Sequence, residues 1–329
     1  MARVLVTGGA GFIGSHLVES LLQRGDEVLV VDDESTGRYE NLAAVHTHPG
    51  FSFLHASIGN RDLIERTMGG VEEIYHLAAA VGVALIARTP IETIERNIYP
   101  TQLLLDAARD RIARGEPLKL FLASTSEVYG KNPKGTWQED DDLVFGSTTR
   151  ARWSYGASKA IDEFLALACW RQSRVPVVIG RFFNVVGPRQ TGAYGMVLPR
   201  FVQAAQAGQP LVVHDDGRQV RCFAHVSDVV RAVLALMSQP NAVGKVFNIG
   251  SDQPVSILEL ARRVVARADS DSPITFQSYT AAYDADFEDV RRRVPDLTRL
   301  KQMVHFHPRY DLDGIIHELI NPSTDGGSP

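Results

Sequence analysis

The first fourteen residues constrain this chain more than any other stretch. Arg3-Val4-Leu5-Val6-Thr7 is a short β-branched run, followed by Gly8-Gly9-Ala10-Gly11-Phe12-Ile13-Gly14 and then by Leu17, Leu21 and Leu22 at helical spacing. Strand, glycine turn and helix in that order open a βαβ unit that can hold a dinucleotide. Gly8 and Gly11 let the backbone turn tightly and approach a pyrophosphate at the positive helix N-terminus, with Phe12 and Ile13 carrying the turn into the helix; Gly14 lets helix and strand pack closely. The second strand ends in Val30-Val31-Asp32-Asp33, which puts an acid 18 residues after Gly14, near the roughly 20 at which a ribose-binding carboxylate sits. Two carboxylates there repel a 2'-phosphate, so NAD is expected rather than NADP, with Arg38 the one nearby counter-argument. A phosphate-transfer loop is excluded, because Gly14 is followed by Ser15-His16 and not by the Lys such a loop requires.

Beyond that unit, β-branched runs alternate with longer helical periodicities, the pattern of a parallel sheet covered on both faces. Arg3–Thr7, Glu27–Val31, Phe51–Leu54, Glu73–His76, Leu118–Ala123 and Val175–Gly180 read as strands, and Ile91–Arg114 and Trp153–Arg174 as helices. From Asn184 to Gly195 the chain is rich in breakers, which reads as its exit from the sheet. Val226–Met237 and Lys245–Ile249 read as a helix and strand that return to it. The expected class is therefore α/β, a Rossmann-type doubly wound parallel sheet with a smaller mixed α/β substrate domain. Residues 1–180 plus about 223–250 form the first domain, 181–222 plus 251–320 the second, and 321–329 a disordered tail.

With 44% hydrophobic and 22% charged residues, the composition excludes disordered, collagen-like and coiled-coil classes. The net charge of −5, with no basic stripe, argues for a small-molecule partner and against nucleic acid. Cys169 and Cys222 alone supply neither a disulfide framework nor a Cys-based zinc site. No leader pattern follows Met1 and no apolar run spans a membrane, so a cytoplasmic location is expected. His46 with His48 and His305 with His307 lack an acid or Cys to complete a metal site, so no metal is expected.

Tyr155 and Lys159 sit four apart on the predicted second helix and share a face. A Lys charge and a positive nicotinamide ring both favour phenolate, which can accept a proton from a sugar hydroxyl as hydride leaves. By itself such a pair is more often a half-buried Tyr beside a solvated Lys. Upstream, however, the buried strand Leu120-Phe121-Leu122-Ala123 delivers Ser124-Thr125-Ser126-Glu127-Val128-Tyr129-Gly130 at its C-terminal end, where ligands bind in open α/β sheets.

With these residues the chain resembles the extended short-chain dehydrogenase/reductase family, specifically its nucleotide-sugar-modifying members. Further marks are His76-Leu77-Ala78-Ala79, Asn97, Arg181-Phe182-Phe183-Asn184 and Gly187-Pro188-Arg189. The resemblance implies that Thr125 hydrogen-bonds the sugar O4, Tyr155 takes its proton and Lys159 holds the nicotinamide ribose. Ser57, Ile58, Leu77, Ala78, Ala79, Asn97 and Ser124 would contact NAD, although many relatives place an Asp where this chain has Ser57. Asn184, Val197, Arg221 and Arg293 would hold the UDP-sugar, and a homodimer through two helices is implied.

Oxidation at C4 is shared by epimerases, dehydratases and decarboxylases. Glu127, with Ser126 beside it, discriminates among them, because chemistry at C5 or C6 needs an additional acid/base or electrostatic partner. The Ser124–Gly130 stretch looks like UDP-glucuronate decarboxylases. Glu139–Gly146, Arg152-Trp153-Ser154-Tyr155, Arg221-Cys222-Phe223 and Phe287–Pro295 look like the decarboxylase domain of the bifunctional polymyxin-resistance enzyme. Of Arg291-Arg292-Arg293, only Arg293 is kept as a site residue. UDP-glucuronate decarboxylation is thus expected, with a UDP-hexose or UDP-hexuronate 4-epimerase as the rival. A non-enzymatic dinucleotide sensor would be expected to lack Tyr155 or Lys159.

Overall fold

The computed structural model describes residues 1–80, 89–192, 196–279 and 288–322. The expectations for Gly195, Phe287 and the tail 323–329 lie outside the described residues. Strands β1 (Arg3–Thr7), β2 (Glu27–Asp32), β3 (Phe51–His55), β4 (Glu73–His76), β5 (Lys119–Thr125) and β6 (Val177–Phe182) alternate with α1 (Phe12–Gln23), α2 (Arg61–Thr67), α3 (Pro90–Ala113) and α4 (Ser154–Ser173). With β11 (Lys245–Ile249) these strands form one seven-stranded sheet in the order β11-β6-β5-β4-β1-β2-β3. Every pairing is parallel.

Side chains alternate across the strands, so β1 sends Val4 and Val6 to one face and Leu5 to the other. Val4 and Val6 pack with Leu17 and Leu21 of α1 and with Val229 and Val233 of α6 (Val226–Ser238). Leu5 packs with Leu104 and Ala108 of α3 and Ala166 of α4. Burial on both faces is what near-continuous apolar strands require, each Val or Leu contributing roughly 1.5–3 kcal/mol. The strand order reverses between β1 and β4, which opens a crevice at the strand C-termini.

The sixth strand departs from the expected bounds. Pro176 has no N–H to give a ladder, so β6 begins at Val177 and not at Val175. Arg181 and Phe182 still pair with Asn248 and Ile249, so the chain leaves the sheet after Phe182 and not after Gly180.

The remaining segments build three two-stranded sheets: β7 (Val185–Val186) with β10 (Ala224–His225), β8 (Leu211–His214) with β13 (Ile274–Gln277), and β9 (Val220–Cys222) with β12 (Pro254–Ser256). Helices α5 (Val197–Gln206), α7 (Ile257–Arg267) and α9 (Leu312–Ile320) pack on them through Phe201, Leu260 and Ile316. Helix α8 (Thr298–Val304) sets Leu300 into the core of the large sheet.

Candidate active site

A cavity of about 940 Å³ runs along the strand C-termini, from the glycine turn to the segments around β9. At one end the backbone is shaped for close approach. Gly8 has φ +74°, and a Cβ there would lie 2.6 Å from the Ala78 backbone nitrogen; one on Gly14 would lie 2.2 Å from the Gly8 carbonyl oxygen. Asp32 at the end of β2 is buried and accepts hydrogen bonds from the Ala10 (2.9 Å) and Glu34 (2.8 Å) backbone N–H groups. Burial raises its carboxyl above the ordinary range, against the pull of those two donors. Asp33 accepts from the Ser35 N–H at 3.0 Å and lies 3.9 Å from the Arg96 guanidinium. Gly11, Phe12, Ile13, Ser57, Ile58, Leu77, Ala78 and Ala79 complete this end of the wall. Loop residues tie it to the smaller sheets: the Pro188 carbonyl meets the His16 ring at 3.0 Å, and Arg189 donates to Ser15 (3.0 Å) and pairs with Glu19 (2.5 Å).

Asn97 and Lys159 are not on the wall. Asn97 is buried behind it, accepting from the Ala80 N–H at 2.8 Å and donating to Ser158 at 3.1 Å, so it braces the strand end instead of facing the cavity. Lys159 turns inward and donates to Asp162 at 2.9 Å, both side chains almost fully buried. Behind them His76 bridges Thr7 (2.7 Å) and Thr101 (3.0 Å), and burial followed by the Lys159 charge lowers it to about 3, so it is neutral.

At the middle of the cavity β5 ends at Thr125, whose Oγ1 accepts the Glu127 N–H at 3.2 Å and caps a single 3₁₀ turn, Ser126–Tyr129. Helix α4 brings Tyr155 against it, in a hydrogen bond with Thr125. The helix approaches closely because residue 156 is glycine: a Cβ there would lie 2.5 Å from the Glu127 carbonyl oxygen. Burial pushes the Tyr155 phenol above its ordinary value and the Glu127 charge pushes it further, while the Thr125 hydrogen bond opposes both. Asp162 raises it as well, and the expected Lys159 charge, paired with Asp162 at 2.9 Å, is not among these causes. Ser124 lines the wall and donates to Glu163 at 2.5 Å; Glu163 also takes Arg181 at 2.7 Å, a strut between β5, α4 and β6.

The far end is ionic. Glu127 Oε2 lies 2.5 Å from Arg152 Nη1, and Oε1 accepts a hydrogen bond from Arg293 Nη1. Burial alone would raise the Glu127 carboxyl, but Arg293 and then Arg152 overcome it and hold it at about 2. Arg221 donates to both oxygens of Asp289 at 3.0 Å, and burial together with the Arg293 charge lowers it to about 10. Tyr279 donates to Asp289 at 2.5 Å. Asn184, at φ +34°, donates to the Cys222 carbonyl at 2.9 Å, and Val197 opens α5 on the opposite wall. Arg152, Arg221 and Arg293 thus face Glu127 and Asp289, a surplus of one positive charge. The sequence reading assigned no role to Arg152, Asp289 or Asp162. Arg152 had a usable signal, standing three residues before Tyr155 at a helix start, whereas Asp289 had none.

Residues 5–319 match the family described as GDP-mannose 4,6 dehydratase. The chain belongs to the extended short-chain dehydrogenases/reductases, the NAD-dependent nucleotide-sugar epimerase/dehydratase family. This reductase-family chain is 39% identical over 322 residues to the UDP-N-acetyl-alpha-D-glucosaminuronate decarboxylase of Bacillus cytotoxicus, covering 97% of this chain and 96% of the relative. It is 36% identical over 310 residues to UDP-glucuronic acid decarboxylase 1 of Arabidopsis thaliana, covering 94% and 67%. Among solved structures of the family, the UDP-glucose 4-epimerase of Thermotoga maritima with UDP-glucose superimposes with a TM-score of 0.85 at 29% identity, covering 97% of each chain. The dTDP-glucose 4,6-dehydratase DesIV of Streptomyces venezuelae, with NAD and TYD bound, gives 0.86 at 29% identity, covering 97% and 95%.

Proposed function

We propose that this chain is an NAD-dependent decarboxylase of a UDP-linked uronate, with UDP-glucuronate as its substrate. The observation that carries the reading is the charged cluster beside the proton-transfer pair: Glu127 held between Arg152 and Arg293, next to Tyr155 and Thr125. A surplus of guanidinium there suits a sugar that carries a carboxylate as well as a diphosphate. The two decarboxylase relatives support the same reaction class.

The residues fit a dinucleotide. Gly8 and Gly14 leave space that a Cβ would fill, α1 presents its N-terminal N–H groups, and Asp32 and Asp33 stand where a ribose would end. Gly11, Phe12, Ile13, Ser57, Ile58, Leu77, Ala78, Ala79 and Ser124 would enclose it, with Lys159 and Asn97 supporting from behind. Bound there, NAD supplies the oxidant for C4 of the sugar. Thr125 holds O4 and Tyr155 accepts the O4 proton; burial and Glu127 raise its phenol, so the positive nicotinamide ring of bound NAD would be what favours the phenolate. The resulting C4 ketone is β to the C6 carboxylate, so when the C5–C6 bond breaks, CO2 leaves and the bonding pair moves onto the ketone oxygen as an enolate. Protonation at C5 completes a 4-ketopentose. Arg221, Arg293 and Asn184 hold the anionic groups. Glu127, at about 2, is an anion at neutral pH, so its geometry favours a fixed charge over the proton exchange expected from its position alone.

The test is to give purified protein and NAD three nucleotide sugars: UDP-glucuronate, its 2-acetamido counterpart and UDP-glucose. Product lighter by the mass of one CO2 from UDP-glucuronate supports the reading. Decarboxylation of the 2-acetamido sugar alone would move the substrate assignment, and a product of unchanged mass with C4 inverted would make the chain an epimerase.

A further inference from the structure

Arg152 has no part in the reaction as written. It sits in a 3₁₀ turn, Ala151–Trp153, that runs directly into α4 and so shares its rigid placement with Tyr155 three residues later. Its guanidinium lies over the Trp153 ring, 5.5 Å from the centroid, and its side chain is only 5% exposed. A guanidinium buried to that degree is costly unless an anion faces it. The anion that does so is Glu127, whose second oxygen is taken by Arg293. The pairing is one guanidinium per carboxylate oxygen, from two segments far apart in the chain. Arg152 lines the cavity, but its Nε and Nη1 are buried and make no directed hydrogen bond; the charge it meets at 2.5 Å is the Glu127 carboxylate, through which it can act on a bound sugar.

We propose that Arg152 is a positioning residue for this reaction: with Arg293 it locks the Glu127 carboxylate in one orientation beside the Tyr155 hydroxyl. The proposal rests on the reading of Tyr155 as proton acceptor, and it holds whichever nucleotide sugar is used. The groups that face Glu127 are Arg152 from the turn before α4, Tyr155 from α4, Arg221 from β9, and Arg293 from the stretch before α8. Asp289 faces the arginines from the other side. Of these, Arg152 and Arg293 touch the Glu127 carboxylate. With Arg152 removed, desolvation opposes a single guanidinium, and Glu127 takes a proton within reach of the working pH range. A protonated Glu127 no longer raises the Tyr155 phenol and is free to turn.

The experiment uses the full chain with NAD and compares wild type, R152M, R152K, E127Q and the double variant E127Q/R152M. A carbon NMR titration of the Glu127 carboxyl reads the clamp without any turnover. It is expected to stay ionised to well below 4.5, the ordinary value, in wild type and R152K, and to titrate above 4.5 in R152M. In steady state R152M is expected to lose at least about tenfold in kcat, with KM for the nucleotide sugar little changed. Its acid limb should move up by about one pH unit or more, and R152K should restore much of both. Because both residues act through one carboxylate, the double variant should be no slower than E127Q alone. The double variant leaves neither member of the Arg152–Glu127 pair charged, so this comparison stands even if R152M does not fold. A wild-type titration and pH profile in R152M, or a loss in the double variant that adds to that of E127Q, would overturn the proposal. Failure of wild-type protein to decarboxylate any UDP-uronate overturns the proposed function and leaves the NMR result to be judged separately.

Discussion

At the scale of single residues, the chemistry turns on which groups keep or lose a proton. Tyr155→Phe removes the proton-accepting oxygen and keeps the ring, so turnover should fall roughly 100- to 10,000-fold while calorimetry finds UDP-sugar binding nearly intact. Unchanged turnover in that variant would remove Tyr155 from the mechanism. Asp32→Ala should weaken NAD by about 1.5–3 kcal/mol in a titration, since a charged partner of the ribose hydroxyls is lost. The same carboxylate also ties the Ala10 and Glu34 N–H groups, so the glycine turn itself should loosen. Glu127 gives a pH prediction with a definite sign. Its carboxyl is lowered from 4.5 to about 2 in the fold, so its contribution to stability is present above pH 4.5 and is lost as pH falls toward 2. Urea melts of wild type and Glu127→Gln should therefore differ fully at pH 7 and converge below pH 4.5. A gap that stays constant with pH would show that Glu127 is not ionised in the fold.

At the scale of elements, close packing decides how the site is held. Gly14→Ala would drive a methyl group to 2.2 Å from the Gly8 carbonyl and force α1 away from β1. Overpacking of this kind costs about 1–3 kcal/mol, so a lower melting temperature and a loss of NAD affinity should appear together. The glycine turn, the paired acids and the Tyr155 helix could be read from sequence because each works through neighbours a few residues away, where spacing and periodicity are informative. The arginine clamp could not. Glu127 and Arg293 are 166 residues apart, and Arg221 meets Asp289 across 68. The family resemblance marked Arg293 as a site residue, but nothing local indicated that two guanidiniums would share one carboxylate. The partner of Lys159 was hidden for a related reason: the position of Lys159 on α4 was evident, while the buried Asp162 one turn further on reads from spacing as an ordinary surface acid.

At the scale of the whole molecule, α3 and α4 pack against each other over one face of the sheet and leave apolar side chains on their outer surface. Ile91 and Tyr99 on α3 are 73% and 52% exposed, and Ile161 and Phe164 on α4 are 44% and 69% exposed. An outward apolar face of this kind suits a homodimer joined through both helices. Phe164→Glu should then shift sedimentation velocity from dimer to monomer, and an unchanged monomer in wild type would refute the assignment. The strand order carries a different consequence, for synthesis. β6, at the middle of the chain, is paired on one side by β5, and its other side is filled only by β11, after the chain has laid down α5, β8, β9 and α6. While the ribosome is still making those residues, β6 is an unpaired apolar edge, a template for contact with other nascent chains. Asn248 on β11 then bonds Tyr129, the Trp137 carbonyl and Glu139 in one step. The nucleotide-binding half is therefore completed only after most of the opposite wall has emerged, and a chain interrupted before Lys245 should be recovered as aggregate, not as a smaller folded domain.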